Sequence, residues 1–336
     1  MAEKKKQHYV PKFIIRQFTD ANKQIAIFNV EKNFVIDKKV PFDSHCYTKY
    51  FYGKDLKWEN KLKRMEDLCS PIVHNIVEDK TISISDQNSI KVFCLFQCFR
   101  TEGAVDKIES MSEKAYDQII LDVCGFYGEE VDEQEVYQFG NNQLKKISRT
   151  ETVLSNLEMA NEMRSYLSTL DLVILNNHTF IDFVCSDNPI ILENMFQHDY
   201  GIGINSVGLI MLFPISSRKA LMIIDKKVYN KIETSVELTV EDVRNINAAI
   251  YDASREILFS KEISSLIEIK EFWDNRPTFP KLKLSFLQLK EAFSPYSNDV
   301  SRCFFRDDTI ETLEFKFMCW DSEYSKLVKE YIGNEI

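Results

Sequence analysis

The stretch from about Gln87 to Glu102 constrains the fold most, because Ile90, Val92, Phe93, Leu95, Phe96 and Phe99 cover every face of a 3.6-residue helix. A helix with no face for water belongs in the middle of a core. Gln97 and Arg100 lie within it, three residues apart and therefore neighbours on its surface. Neither can be left unsatisfied there, since an unpaired buried guanidinium costs several kcal/mol. Two readings follow: a structural partner such as Glu66 or Asp187, or an anionic ligand group held bidentately.

The neighbouring pattern sets out the architecture. Gln24 to Val30 and Asn33 to Ile36 alternate around Glu31-Lys32-Asn33 as a short hairpin. Helical period then runs from about Leu56 to Val77, with Asp55 and Ser85-Asp86 as start signals for this helix and the next. It continues from about Ala104 to Leu167, interrupted at Gly125 to Gly128 and Gly140 to Asn142. Asp171 to Leu175 and Thr179 to Cys185 read as strands joined by a tight turn at Asn176-Asn177-His178. Gly208 to Pro214 and Ala220 to Ile224 read as another pair, followed by a helix over Val240 to Ser254 capped by Thr239. The expectation is an α+β fold in which a helical section, about 56–167, packs on a mixed, mainly antiparallel sheet shared by both β-containing flanks. The main domain covers 1–270. An accessory element over 271–336 carries alternating runs at Lys281 to Leu289 and Thr312 to Cys319 and a closing helix.

Composition narrows the function classes. A net charge of −10 repels nucleic-acid phosphates at long range unless a local basic strip overrides it. The one compact basic run, Lys4-Lys5-Lys6, reads as a solvated tail. Eight cysteines without zinc-knuckle or redox spacing, a polar start and no apolar run of membrane length fit a cytoplasmic protein with no membrane partner. Cys94 and Cys98 read as small hydrophobes of the core. No glycine-rich phosphate loop, Gly-x-Ser-x-Gly elbow or His-Glu-x-x-His motif occurs.

Three further features carry chemistry. On the 56–77 helix, Leu62, Met65, Cys69, Val73 and Ile76 form an apolar stripe, and Glu59 and Glu66 fall along its edge. They are either solvated carboxylates at the stripe's margin or an acid pair at a cleft that can hold a divalent cation or move protons. Ser186-Asp187-Asn188-Pro189 ends a β run; it is a turn by composition, and strand ends are also where ligand sites gather. His8, beside Tyr9, is a structural histidine or a base.

Taken in order, His8-Tyr9-Val10-Pro11-Lys12-Phe13 with Phe18, Glu59 and Glu66 ahead of Pro71, Gln97-Cys98-Phe99-Arg100-Thr101, and Ser186-Asp187-Asn188-Pro189 resemble the signatures of a family of uncharacterised, mainly bacterial proteins, domain of unknown function 4238. The match covers roughly residues 7 to 260. The resemblance implies that His8, Glu59, Glu66, Gln97, Arg100 and Asp187 are the family's typical polar positions, and it implies no settled activity.

Such a set suits a metal-dependent hydrolase, a nuclease-type effector in bacterial defence. Glu59, Glu66 and Asp187 would hold Mg²⁺ or Mn²⁺, His8 would activate water, and Arg100 with Gln97 would steady phosphate charge. Asn188 and Tyr9 stand beside these groups. The alternative is a non-enzymatic sensor or binding module that holds an anionic ligand or partner protein through Arg100 and Gln97. Nucleic acid and a partner protein are the corresponding partners.

Overall fold

Residues 5–111, 147–194, 203–206, 208–229, 232–274, 284–285 and 305–306 are described by the computed structural model. The chain opens with strand β1 (Lys6–His8) and a one-turn helix α1 (Lys12–Ile15) that tightens into a 3-10 turn at Arg16–Phe18. The expected hairpin is present as β2 (Gln24–Asn29) and β3 (Phe34–Val35), followed by β4 (Val40–Pro41) and β5 (Tyr47–Lys49). Helix α2 then runs over Lys57–Val77, through Pro71, and buries Leu62, Cys69, Val73 and Ile76 of the expected stripe.

The apolar helix is α3, Ile84–Phe99. It begins at Ser83, three residues before Asp86, because the two form a capping box: the Ser83 hydroxyl accepts from the Asp86 N–H and the Asp86 carboxylate accepts from the Ser83 N–H. Its composition puts it in the centre. Ile90, Phe93, Cys94 and Leu95 are fully buried, and aromatic contacts reach out on several sides: Phe93 to Phe13 of the α1 helix (5.4 Å), Phe96 to Trp58 of α2 (6.2 Å) and Phe93 to Phe213 in the central sheet (6.2 Å). Lys91 is buried too, and its ammonium donates to the carbonyls of Leu167 (3.2 Å) and Leu170 (2.9 Å), which ties α3 to the chain entering that sheet.

After a helical stretch at 102–111, α4 (Arg149–Glu162) and a 3-10 segment (Met163–Thr169) lead into β6 (Leu170–Asn176). The short β7 (Cys185–Ser186) and β8 (Ile191–Asn194) precede the strand pair β9 (Leu209–Pro214) and β10 (Lys219–Asp225), which is antiparallel as expected. β11 (Ser235–Glu237), α5 (Val240–Ala253), β12 (Ile257–Ser260) and α6 (Ile263–Asp274) follow; α5 carries the expected Thr239 cap, boxed with Asp242. Leu284–Ser285 (β13) pairs with Phe305–Arg306 (β14). The segment 112–146, the 312–319 run and the closing helix of the tail lie outside the described residues.

The fold is α+β, with mainly antiparallel sheets. The two flanks do share a sheet, in the order β3-β2-β12-β7 with β4 also on β2, but a second five-stranded sheet, β11-β6-β10-β9-β8, stands beside it, and β1 and β5 form a separate ribbon. One expected hairpin is absent: β6 pairs with β10 and β11, not with residues 179–185. Of those residues, Phe183 donates to the Ser217 carbonyl (3.0 Å) and Cys185 pairs with Phe259 of β12, and amide side chains hold most of the rest. Asn247 accepts from the Val184 N–H (3.0 Å) and donates to the Asp182 carbonyl (2.9 Å), and Asn177 donates to the Ile181 carbonyl (2.7 Å). Amide side chains that imitate a strand partner are invisible to hydrophobic periodicity.

Among the described residues no helix is long and apolar enough to cross a membrane. Replacing Asn247 by Leu leaves the buried Val184 N–H without its acceptor, so Asn247→Leu is expected to cost about 2–4 kcal/mol in urea unfolding. A change under about 0.5 kcal/mol would show that water takes over both bonds.

Candidate functional site

The N-terminal ribbon, α1 and α2 border a half-open cavity of about 640 Å³. One wall is a single face of α2: Glu59, Lys63, Glu66, Asp67 and Ser70 recur at helical spacing and all line the space. The opposite wall comes from Lys5, Lys6 and His8 of the β1 region and from Lys12, Phe13 and Arg16. Strand alternation explains the first group. Lys6 and His8 point one way, while Gln7 between them points inward, where its carboxamide accepts from the Tyr52 N–H (2.6 Å) and donates to the Gly53 carbonyl (3.0 Å).

Arg100 stands directly behind the α2 wall. As the C-terminal cap of α3 it is 0 % exposed, whereas the Glu66 side chain remains 21 % exposed. Arg100 Nη1 donates to Glu66 Oε1 (2.8 Å) and Nε donates to Gln97 Oε1 (2.7 Å). Gln97 turns its amide nitrogen to the Tyr9 carbonyl (2.8 Å), and the Tyr52 hydroxyl donates to the Arg100 carbonyl (3.2 Å). Both ends of Gln97 are thus committed, and its role is to orient the guanidinium. The third nitrogen, Nη2, is buried and has no hydrogen-bond partner among the described residues.

His8 has a similar vacancy. Its ring lies 5.3 Å from that of Tyr47, and Nε2 is buried without a partner among the described residues. Burial lowers its pKa to about 4, helped by the positive charges of Lys12 and Lys6 and opposed by a hydrogen bond to the Asp43 backbone. A backbone group that favours the protonated ring is a carbonyl accepting from a ring N–H. Because Nε2 makes no bond among the described residues, Nδ1 is the ring nitrogen left to make that contact.

Of the anticipated residues, His8, Glu59 and Glu66 line one cavity, with Arg100 and Gln97 immediately behind it. Asp187 and Asn188 are not on its lining. Asp187 Oδ1 accepts from the Arg255 N–H (2.9 Å) and Oδ2 from those of Glu256 (2.8 Å) and Ile257 (3.2 Å), which fixes the start of β12. Burial raises its pKa to about 6 against the pull of those three N–H groups. Asn188 accepts from the Thr101 hydroxyl (2.6 Å) and donates to the Ala253 carbonyl (2.9 Å), joining the end of α3 to the end of α5. A Cβ at Gly103 would press on Asn188 at 3.0–3.2 Å, so this junction would have to shift by a few tenths of an ångström to accept one. Tyr9 is buried edge-on to Phe51 (5.8 Å), and its phenol is pushed upward by burial and by Cys46 and Asp187 nearby.

No three His, Cys, Asp or Glu side chains come together as a metal-holding group among the described residues. The expected triad is divided, with Glu66 on Arg100 and Asp187 on backbone amides. Sequence reasoning missed Lys12, Arg16 and Lys63, and it took Lys5 and Lys6 for a solvated tail, yet all five line the cavity. The available signal was spacing: Lys12 and Arg16 are one helical turn apart, and Lys63 falls between Glu59 and Glu66 on their face.

An α+β scaffold with a basic cavity backed by a buried arginine defines the class. Residues 6–263 match the family described as Protein of unknown function (DUF4238), and the chain belongs to that family. No curated protein and no solved structure matches it.

The pairing of Glu66 with Arg100 has a measurable consequence. Removing a partly exposed glutamate is normally close to neutral, but here Glu66→Ala strands a buried guanidinium and is expected to cost about 3–5 kcal/mol. Glu66→Gln keeps an acceptor for Nη1 and should cost about 1–2 kcal/mol. Equal, small losses in chemical denaturation would mean that Arg100 does not depend on this carboxylate.

Proposed function

We propose that the protein binds an anionic small molecule in the cavity between the N-terminal ribbon and α2. The observation that carries this reading is the crowding of cations around a neutral histidine. The lining holds five cationic side chains and three carboxylates, a net charge of +2, in a chain whose overall charge is −10. Asp67 pairs with Lys63 and Glu66 with Arg100. Lys12 and Lys6 each press His8 toward its neutral form against the pull of Asp43, and an anion among these cations would relieve their repulsion. The scaffold also preorganises Arg100, whose N–H directions are fixed by Gln97, Glu66 and the Tyr52 contact to its carbonyl.

A second reading, hydrolysis of a phosphoester by a nuclease-type effector, is favoured by one observation: His8 lines the cavity and its Nε2 has no hydrogen-bond partner among the described residues, which suits a general base. With Mg²⁺ or Mn²⁺ its metal would fall to Glu59 and a Glu66 released from Arg100. Nucleic-acid cleavage that requires either cation and is lost in His8→Asn would establish it; binding without turnover leaves the first reading alone.

The first reading is tested with sulfate, which stays dianionic across the useful pH range. An anion beside His8 raises its pKa, so binding takes up a proton and sulfate affinity is expected to rise as pH falls from 7 to 5. His8→Asn should flatten that profile, and Lys12→Glu should weaken binding at every pH. A pH-independent wild-type affinity would count against His8 as part of the site. In the absence of ligand the same shift acts on stability. The unfolded chain protonates His8 below its ordinary 6.5 while the fold keeps it neutral down to about 4, so its contribution is complete above 6.5 and is lost as pH falls through that window.

A further inference from the structure

The cavity is larger than one phosphate or carboxylate needs, and its parts are not all alike. At about 640 Å³ it has the volume of a site for a whole organic ligand. The α2 wall from Glu59 to Ser70 extends about 16 Å, at 1.5 Å per residue. Cations are spread along the facing wall from Lys5 to Arg16, so more than one negative group can be met at once. Among them lies one aromatic ring, Phe13. It lines the cavity, is only partly buried, and is braced from behind by Phe93 at 5.4 Å, the ring over which the Arg100 guanidinium also lies (5.9 Å). A flat apolar ring on a wall of ammonium groups suits a ligand with a planar ring at one end and several phosphate charges at the other.

Resting on the anion-binding reading, we infer that the natural ligand is a nucleoside polyphosphate, with its phosphates among Lys6, His8, Lys12 and Arg16 and its base on Phe13. A nucleic-acid polymer fits less well. It would extend past the cavity over a surface whose overall charge is −10, which repels each phosphate outside the basic wall. A dicarboxylate would use the cations and leave Phe13 and much of the volume without a role. The inference assigns a specificity element, Phe13, that anion binding alone does not require.

The experiment is calorimetric titration of the full-length protein with pyrophosphate, ADP, GDP and a single-stranded oligonucleotide of about eight nucleotides. A base stacked on one aromatic ring strengthens binding by about 10-fold or more, so ADP or GDP is expected to bind at least about 10-fold more tightly than pyrophosphate. Phe13→Leu, which keeps apolar packing against Phe93 without a flat ring, should remove most of that difference and leave pyrophosphate affinity unchanged; a thermal melt of the variant confirms that it folds. Equal affinities for pyrophosphate and both nucleotides would overturn the nucleotide inference while leaving the anion site standing. Tighter binding of the oligonucleotide than of either nucleotide would also overturn it, in favour of a polymer. Failure of every probe, pyrophosphate included, would overturn the anion-binding reading itself.

Discussion

The burial of one guanidinium organises this protein. Arg100 ends the apolar helix α3 with no solvent exposure, and a charge in that position has to be met by partners brought to it. Gln97, one turn earlier, takes Nε; Glu66 reaches in from α2 to take Nη1. That second contact sets the face α2 shows to the outside, because the residues at helical spacing from Glu66 become one wall of a cavity. The opposite wall is held by the same knot, since Gln97 also binds the Tyr9 carbonyl and Tyr52 links Gln7 to the Arg100 carbonyl. Removing the guanidinium would therefore loosen both walls.

Electrostatics at the cavity run against those of the whole chain. Net charge governs what happens beyond a Debye length, about 8–10 Å at ordinary salt, and within the cavity the nearest groups decide. There the lysines meet a histidine kept neutral by burial, and the acids of the facing wall are drawn partly into pairs. A small anion that reaches the cavity meets attraction; a long one remains exposed to the negative remainder of the surface. On the anion-binding reading, local and global charge together would act as a size filter.

Much of the scaffold was legible because its signals are short in range. The apolar run around Phe93, the Thr239 cap and the β9–β10 pair are all written in consecutive residues. The β6 partner was not, because the true partners are β10 and β11, dozens of residues away, and the segment that looked like its partner is satisfied in part by Asn177 and Asn247. Gln97 and Arg100 stood out as polar residues on an apolar helix, and Glu66 was found through its stripe. Asp187 shows where such reasoning stops: a carboxylate after a strand looks the same in sequence whether it faces a ligand or holds three backbone amides. The lysines of the cavity gave only the weaker signal of helical spacing, because a lysine at such a position reads as solvated until the facing wall is known.

The central claim is that an anion binds beside His8 between the ribbon and α2 and is felt by the buried Arg100 through Glu66. Nitrogen-15 NMR of the histidine rings and arginine side chains during a pyrophosphate titration at pH 7 addresses it most directly. The account predicts a free protein whose His8 Nε2 is unprotonated with the proton on Nδ1, and a saturable shift of that ring toward the protonated form together with the Arg100 side-chain signal. Saturable binding that leaves both resonances unmoved would put the anion elsewhere and contradict the account.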